Sequence, residues 1–172
     1  MSIFESFALD SVDVLSGYLE ANLEEKDEYR AIPLLVGLNF NGNSFFERVG
    51  LDLPGRVDFI LEPFVNTVVN PDKNIEVGSN FLIKYTLTLT KKVQPFVKAG
   101  AGVVYMSQHT KEQSTQYNFL PQAGGGIQYF FSDRVALNLE YRYRHLSNAG
   151  AKHPNSGIDS DLILCGLSFY FK

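Results

Sequence analysis

Hydrophobic and polar residues alternate in segments of about ten residues along most of this chain, and turn-forming residues separate the segments. Because successive side chains of a β-strand point to opposite faces, this alternation predicts strands with one apolar and one polar face. Seven segments show it: residues 30–40, 56–66, 74–89, 94–106, 117–131, 134–146 and 161–171.

An eighth segment, residues 11–21, is ambiguous because its apolar residues fit an amphipathic helix as well as a strand. We interpret it as the first strand. The sequence then predicts an all-β fold, an eight-stranded antiparallel up-and-down β-barrel over residues 11–172, preceded by an N-terminal tail over residues 1–10. The ambiguous apolar residues are Val12, Val14, Leu15, Tyr18 and Leu19.

The links between the predicted strands differ in length. Short links are expected at residues 70–73, 91–92 and 132–133, and longer polar links at 22–29, 107–116 and 148–160. This alternation predicts short turns at one end of the barrel and long loops at the other, as in membrane barrels. The long link at residues 41–55 departs from the pattern.

Alternation alone does not decide which face of the barrel is inside. A soluble, lipocalin-like barrel has an apolar interior, whereas a membrane barrel has a polar interior and an apolar outer wall. The face opposite the apolar residues carries nine charged residues: Arg56, Asp58, Glu62, Glu76, Lys84, Lys98, Glu140, Arg142 and Arg144.

Three features of the charged face and the strand ends favour a transmembrane barrel. The charged face is rich in Gly, Asn and Gln, and glycine makes room for long side chains in a narrow interior. Its acids and bases are nearly balanced, as buried charges require. Aromatic residues gather near the strand ends, where a membrane-interface girdle is expected. The soluble barrel that binds a lipid-like ligand remains the alternative.

Length and composition restrict the remaining choices. The 172 residues fit one domain, and the net charge of −4 with a pI near 5.3 argues against nucleic-acid binding. Cys165 is the only cysteine, which precludes an intrachain disulfide. Residues 1–10 lack the features of a secretory signal. An exported protein would therefore correspond here to a mature form with an added Met1.

Candidate catalytic residues lie at the end of the segment 134–146. His145 and Ser147 are two residues apart, so they share the apolar face at a Cα separation of about 6.5–7 Å. Asp159 has the outward parity of the last strand, and the hairpin should bring it beside His145. A base, a hydroxyl and an acid on a lipid-facing wall suggest an enzyme that acts on a lipid.

The segment His145-Leu146-Ser147-Asn148-Ala149-Gly150-Ala151-Lys152-His153-Pro154-Asn155-Ser156-Gly157-Ile158-Asp159-Ser160 resembles the signature of the lipid A 3-O-deacylases, the PagL family. The resemblance implies an eight-stranded outer-membrane barrel with a triad on its outer wall. In this chain the triad would comprise Ser147 as nucleophile, His145 as base and Asp159 as orienting acid. Asn148 and the backbone amide of Gly150 would stabilise the oxyanion. Asp159 departs from the family, which usually has Glu there.

The resemblance also implies a substrate and a location. The enzyme would hydrolyse the 3-hydroxyacyl ester at position 3 of lipid A, using lipopolysaccharide in the bacterial outer membrane and requiring neither a metal nor another cofactor. Membrane lipids would surround the barrel. The competing hypothesis is a non-enzymatic structural or adhesive outer-membrane barrel.

Overall fold

The computed structural model describes residues 8–23, 27–51, 53–107, 110 and 112–171. In these residues, one short helix, α1 (Asn43–Arg48), accompanies the strands, and no helix is long and apolar enough to cross a bilayer. The strands are β1 (Leu9–Leu23), β2 (Asp27–Asn41), β3 (Arg56–Asn70), β4 (Asn74–Thr86), β5 (Val93–Met106), β6 (Tyr117–Phe119), β7 (Gln122–Ser132), β8 (Val135–Leu146) and β9 (Ile158–Tyr170).

The strands form one closed antiparallel sheet. Neighbours follow the order β4-β3-β2-β1-β9-β8-β7-β5-β6, and the additional β4–β5 pairing closes the barrel. The short β6 and β7 are two parts of one barrel strand, interrupted at Leu120 and Pro121. Pro121 lacks an N–H for the ladder, while Leu120 still exchanges backbone hydrogen bonds of 2.8 and 3.0 Å with Gly102. The predicted eight-stranded barrel is confirmed.

Two expectations about the ends of the strands are wrong. The first strand begins at Leu9, inside the predicted tail, while residues 1–7 lie outside the described residues. The expected asymmetry of the links is also absent. The end that carries residues 107–116 and 147–157 also has the short link at 71–73, whereas the long link 42–55 lies at the opposite end. β1 and β2 extend towards each other, which shortens the link expected at 22–29.

The orientation of the two faces is that of a membrane barrel. Large apolar side chains such as Phe81 and Ile163 lie on the outer wall with 57% and 67% of their surface exposed. The charged side chains point inward, and Arg142 is only 1% exposed. A soluble barrel would have the opposite arrangement, so the outer wall is suited to contact with lipid.

The interior charges are paired. The Arg142 guanidinium donates to both oxygens of Glu62, at 2.6 and 3.1 Å, and to Glu140 and Gln122 at 2.8 and 2.9 Å. Glu140 also accepts a hydrogen bond of 2.8 Å from Lys98. Several donors on each acid offset the cost of removing these charges from water.

A second interior cluster centres on Glu76. Arg144 donates to its carboxylate at 2.8 Å, Asn66 at 2.6 Å and the Tyr29 hydroxyl at 2.5 Å. Side chains fill the space around these groups so well that the cavity beside Arg142 and Arg144 measures only about 10 Å³, close to the volume that one water molecule requires.

The interior also contains an apolar layer, which was not predicted. Alternation assigned polar residues to the interior, yet β1 turns Leu15 and Leu19 inward while Val14 and Tyr18 face outward. Both faces of β1 are therefore apolar, which explains why its sequence also fits a helix. The layer comprises Leu15, Leu19, Ala21, Leu23, Tyr29, Ala31, Leu35, Phe64, Val68, Val104, Met106, Leu120, Leu146, Ile158, Leu162 and Leu164.

We expect Glu62→Ala to lower the free energy of unfolding by about 3–5 kcal/mol, because it leaves the buried Arg142 charge without its bidentate partner. Glu28→Ala is the control, since Glu28 pairs with Arg30 at an exposed position and such pairs contribute about 0–1 kcal/mol. Urea unfolding of the protein refolded in lipid vesicles measures both. Equal effects of the two substitutions would contradict the assigned importance of the interior pair.

Candidate active site

His145 and Asp159 meet on the outer wall, at the loop-bearing end of the β8–β9 hairpin. They are direct partners in the antiparallel register, and His145 Nδ1 lies 2.6 Å from Asp159 Oδ1. Both side chains are accessible, with 39% and 59% of their surface exposed. The structure thus confirms the expected juxtaposition of these two residues.

The hydrogen bond determines which nitrogen of His145 is free. An ionised carboxylate only accepts hydrogen bonds, so Nδ1 carries the proton and donates the hydrogen bond to Asp159. The lone pair of the neutral imidazole then lies on Nε2. This arrangement gives the ring a fixed tautomer and an accessible basic nitrogen.

A tyrosine–carboxylate contact lies beside this pair and was missed by the sequence analysis. Tyr143 lies on the outward face of β8 next to His145 and is the cross-strand partner of Asp161. One step further from the loop, the Tyr141 hydroxyl donates to Asp161 at 2.5 Å. The sequence could have indicated this contact, because Asp161 has the same outward parity as Asp159, and Tyr141 has the same parity as His145.

Ser147 lies just beyond the end of β8. It forms an isolated antiparallel bridge with Phe119, in which its N–H donates at 3.1 Å and its carbonyl accepts at 2.7 Å. Within the described residues, the Ser147 hydroxyl makes no hydrogen bond to His145. The structure therefore joins His145 and Asp159 directly and places Ser147 two residues further along, with its backbone fixed.

The predicted oxyanion donor Asn148 is buried, and its hydrogen-bond donors are engaged in the loop. Its backbone N–H donates to Asn155 Oδ1 at 2.9 Å, and its side-chain amide donates to Lys152 O at 2.7 Å and Ser114 Oγ at 3.3 Å. The amide of Asn148 therefore stabilises the loop in this conformation and would have to be released to bind an oxyanion.

The backbone turns sharply at Ala149 and Gly150. Both have positive φ angles, 54° and 78°, and Ala151 N–H donates to Asn148 O at 3.1 Å. Positive φ at both central residues is the pattern of a type I′ turn. The N–H of Gly150 makes no hydrogen bond in the part of the chain that the structure describes, so it remains a candidate donor.

A second loop supports the loop that contains Ser147 and Asn148. Ser114 N–H donates to Pro154 O at 3.1 Å, and Ser156 N–H donates to Glu112 O at 3.0 Å. Gln113 and Asn155 form a β-bridge between the two loops. The sequence analysis missed this pairing, because a contact between two distant loops leaves no local periodicity.

Among the described residues, no group of three or more His, Cys, Asp or Glu side chains is arranged to hold a metal ion.

The closed barrel with its apolar outer wall defines a transmembrane β-barrel protein. Similar folds occur in the outer membrane enzyme PagL (18% identity, covering 92% of this chain and 98% of that one, TM-score 0.62) and in Neisserial surface protein A, NspA (12%, 96% and 99%, 0.65). The N-terminal barrel domain of Pseudomonas aeruginosa OprF is also similar (13%, 94% and 98%, 0.56). At these identities the likeness concerns the fold.

The sequence itself identifies the family. The profile of the lipid A 3-O-deacylase (PagL) family matches residues 15–168, so the chain belongs to this family. The match extends far beyond the C-terminal segment that suggested it. No significant match was found among curated proteins.

We expect Asn155→Ala to loosen the loop at residues 147–157, because the buried N–H of Asn148 would lose its acceptor at a cost of about 1–3 kcal/mol. Asn155→Asp retains an acceptor oxygen and serves as the control. Amide hydrogen exchange of peptides from this loop should be faster in the Ala variant and near wild type in the Asp variant. Equal exchange in the two variants would contradict the role given to the Asn155 side chain.

Proposed function

We propose that this protein is a serine esterase that removes the ester-linked 3-hydroxyacyl chain at position 3 of lipid A in the bacterial outer membrane. Membership of the lipid A 3-O-deacylase family supports the substrate and the reaction. The observation that carries the mechanism is the 2.6 Å contact between His145 Nδ1 and Asp159 Oδ1. This contact leaves Nε2 of His145 to act as the base, on an outer wall that is suited to contact with lipid.

The reaction begins at Ser147. His145 Nε2 accepts the hydroxyl proton as Ser147 Oγ attacks the ester carbonyl, and Asp159 stabilises the resulting imidazolium. Collapse of the tetrahedral intermediate breaks the ester bond. His145 returns the proton to the sugar oxygen, and the acyl chain remains on Ser147. A water molecule, deprotonated by His145, then releases the 3-hydroxy fatty acid and restores Ser147.

Catalysis requires Ser147 to turn towards the imidazole. Hydrogen bonds between catalytic groups are often long without substrate and tighten in the complex. The backbone of Ser147 is already held by its bridge to Phe119, so we expect rotation of the side chain, rather than movement of the backbone, to bring Oγ towards Nε2.

The oxyanion would be stabilised by the turn that follows Ser147. The N–H of Gly150, which makes no hydrogen bond within the described residues, is the first candidate donor. The Asn148 side-chain amide would contribute only after leaving Lys152 O, its 2.7 Å acceptor in this structure. A single donor of this kind is worth about 10²–10³-fold in kcat.

The position of the site accounts for access of the substrate. His145 and Asp159 lie at the end of the outward-facing sides of β8 and β9. The next outward pair is Tyr143 and Asp161, and apolar residues such as Ile163 follow on the same wall, which is suited to contact with lipid. An acyl chain of lipid A would already lie beside the strands, so the ester can reach Ser147 without leaving the membrane. A pocket that excludes water is therefore unnecessary for binding the chain.

The first prediction of the proposed function concerns the nucleophile. Wild-type protein refolded in detergent should release one 3-hydroxyacyl chain from purified lipid A, whereas Ser147→Ala should release none. Ser156→Ala is the matched control in the same loop, since the structure uses the backbone of Ser156 and not its hydroxyl. Mass spectrometry of the lipid products decides, and the absence of deacylation by wild type across several lipid A types would favour a non-enzymatic barrel.

The second prediction separates the two outward-facing carboxylates. Asp159→Asn should lower kcat by about three to four orders of magnitude, because the amide no longer fixes the tautomer or stabilises imidazolium. Asp161→Asn removes a neighbouring carboxylate that bonds to Tyr141 rather than to His145, and it should leave kcat within a fewfold of wild type. Comparable losses in both variants would refute Asp159 as the orienting acid.

A further inference from the structure

Gly157 packs directly against the catalytic imidazole. Its backbone has a φ of +84°, a conformation that L side chains rarely adopt. A Cβ atom built on Gly157 would meet the His145 ring, contacting Cε1 most closely and lying 3.0 Å from Nε2 and 3.4 Å from Nδ1. The absence of a side chain at residue 157 therefore provides the space that the ring occupies.

The backbone around Gly157 has little freedom to retreat from such a contact. On one side, Ser156 N–H donates to Glu112 O at 3.0 Å. On the other side, Ile158 is 2% exposed and pairs with Leu146 in the β8–β9 ladder. A side chain at residue 157 would consequently displace the imidazole, which is partly exposed, rather than the loop.

Displacement of the ring would affect both nitrogens that the proposed reaction uses. Rotation away from Gly157 would lengthen the 2.6 Å bond from Nδ1 to Asp159. If the ring did not move, the added carbon would crowd Nε2, where Ser147 Oγ has to approach. Either response lowers the population of the arrangement that transfers the proton.

We propose that Gly157 is a positioning residue, whose missing side chain allows the imidazole of His145 to bond to Asp159 while Nε2 stays open to Ser147. The inference rests on the proposed function and extends it to a residue that does not touch the substrate. The requirement for a positive φ does not by itself explain why glycine at residue 157 lies against the His145 ring. Gly50 has a similar φ of +81°, yet a Cβ there would meet no atom within 4 Å.

The test compares Gly157→Ala with Gly50→Ala in the refolded full-length protein. Both substitutions impose an L side chain on a positive φ, but only the first contacts His145. We expect Gly157→Ala to lower kcat for lipid A deacylation by about 10- to 100-fold, as misplacement of a catalytic group by about 1 Å does, with little change in KM. Gly50→Ala should keep both constants near wild type.

A second variant guards against an effect of poor folding, and a second measurement reports on the His145 ring without relying on catalytic turnover. Gly157→Asn also introduces a Cβ, but Asn tolerates positive φ better than Ala, so it should show the same loss of kcat in a better-folded protein. Nitrogen-15 NMR of histidine-labelled protein reports the ring directly. The His145 resonances, assigned by comparison with His145→Ala, should shift in both Gly157 variants and not in Gly50→Ala.

Unchanged kcat and ring resonances in Gly157→Asn would overturn the proposal, as would equal losses in Gly50→Ala, which would attribute the effect to backbone strain. If wild-type protein does not deacylate lipid A, the proposed function fails instead. The NMR comparison then still decides whether Gly157 positions the ring.

Discussion

The inward-facing ion pairs are the constraint on which the rest of this structure depends. A barrel in lipid can bury charges only if each one finds partners, and Arg142 does so through Glu62, Glu140 and Gln122. Because side chains alternate along a strand, directing Arg142 and Arg144 inward obliges His145 to face outward. The location of the candidate active site on the outer wall is thus a consequence of how the interior is neutralised.

The candidate active site also requires the observed register of the β8–β9 hairpin. His145 lies directly opposite Asp159, and Cβ atoms of such partners are about 4.5–5.5 Å apart. A slip of one residue would turn Asp159 inward and bring Ile158 or Ser160 opposite His145 on the wall. The interior opposes that slip, since Arg144 and Ser160 occupy the neighbouring pair and Arg144 is tied to Glu76 on the other side of the barrel.

The sequence predicted the features that depend on the alternation of apolar and polar residues along a strand. It did not predict contacts between segments that are far apart in the chain. The strands and their outward faces follow from the alternation of residues along each segment. The proximity of His145 to Asp159 follows from the parity of the two residues across one hairpin. The apolar interior layer was not predicted, because a strand with two apolar faces, such as β1, shows no alternation of apolar and polar residues. The contact of residues 112–116 with the loop after Ser147 also left no signal, since it joins groups that are far apart in the chain.

A site on a lipid-facing wall has few surrounding elements to hold its side chains, and here the loop takes that role. Direct cross-strand pairing lets Asp159, although shorter than the Glu usual in the family, reach His145 at 2.6 Å. The ring then lies against the backbone of Gly157, which is itself held through Ser156 by Glu112. Ring orientation is therefore determined jointly by a carboxylate from β9 and by a loop braced from a neighbouring loop. Because Asp159 and Gly157 both lie on the hairpin that contains Ser147, the sixteen residues from His145 to Ser160 include every residue to which the proposed chemistry assigns a role.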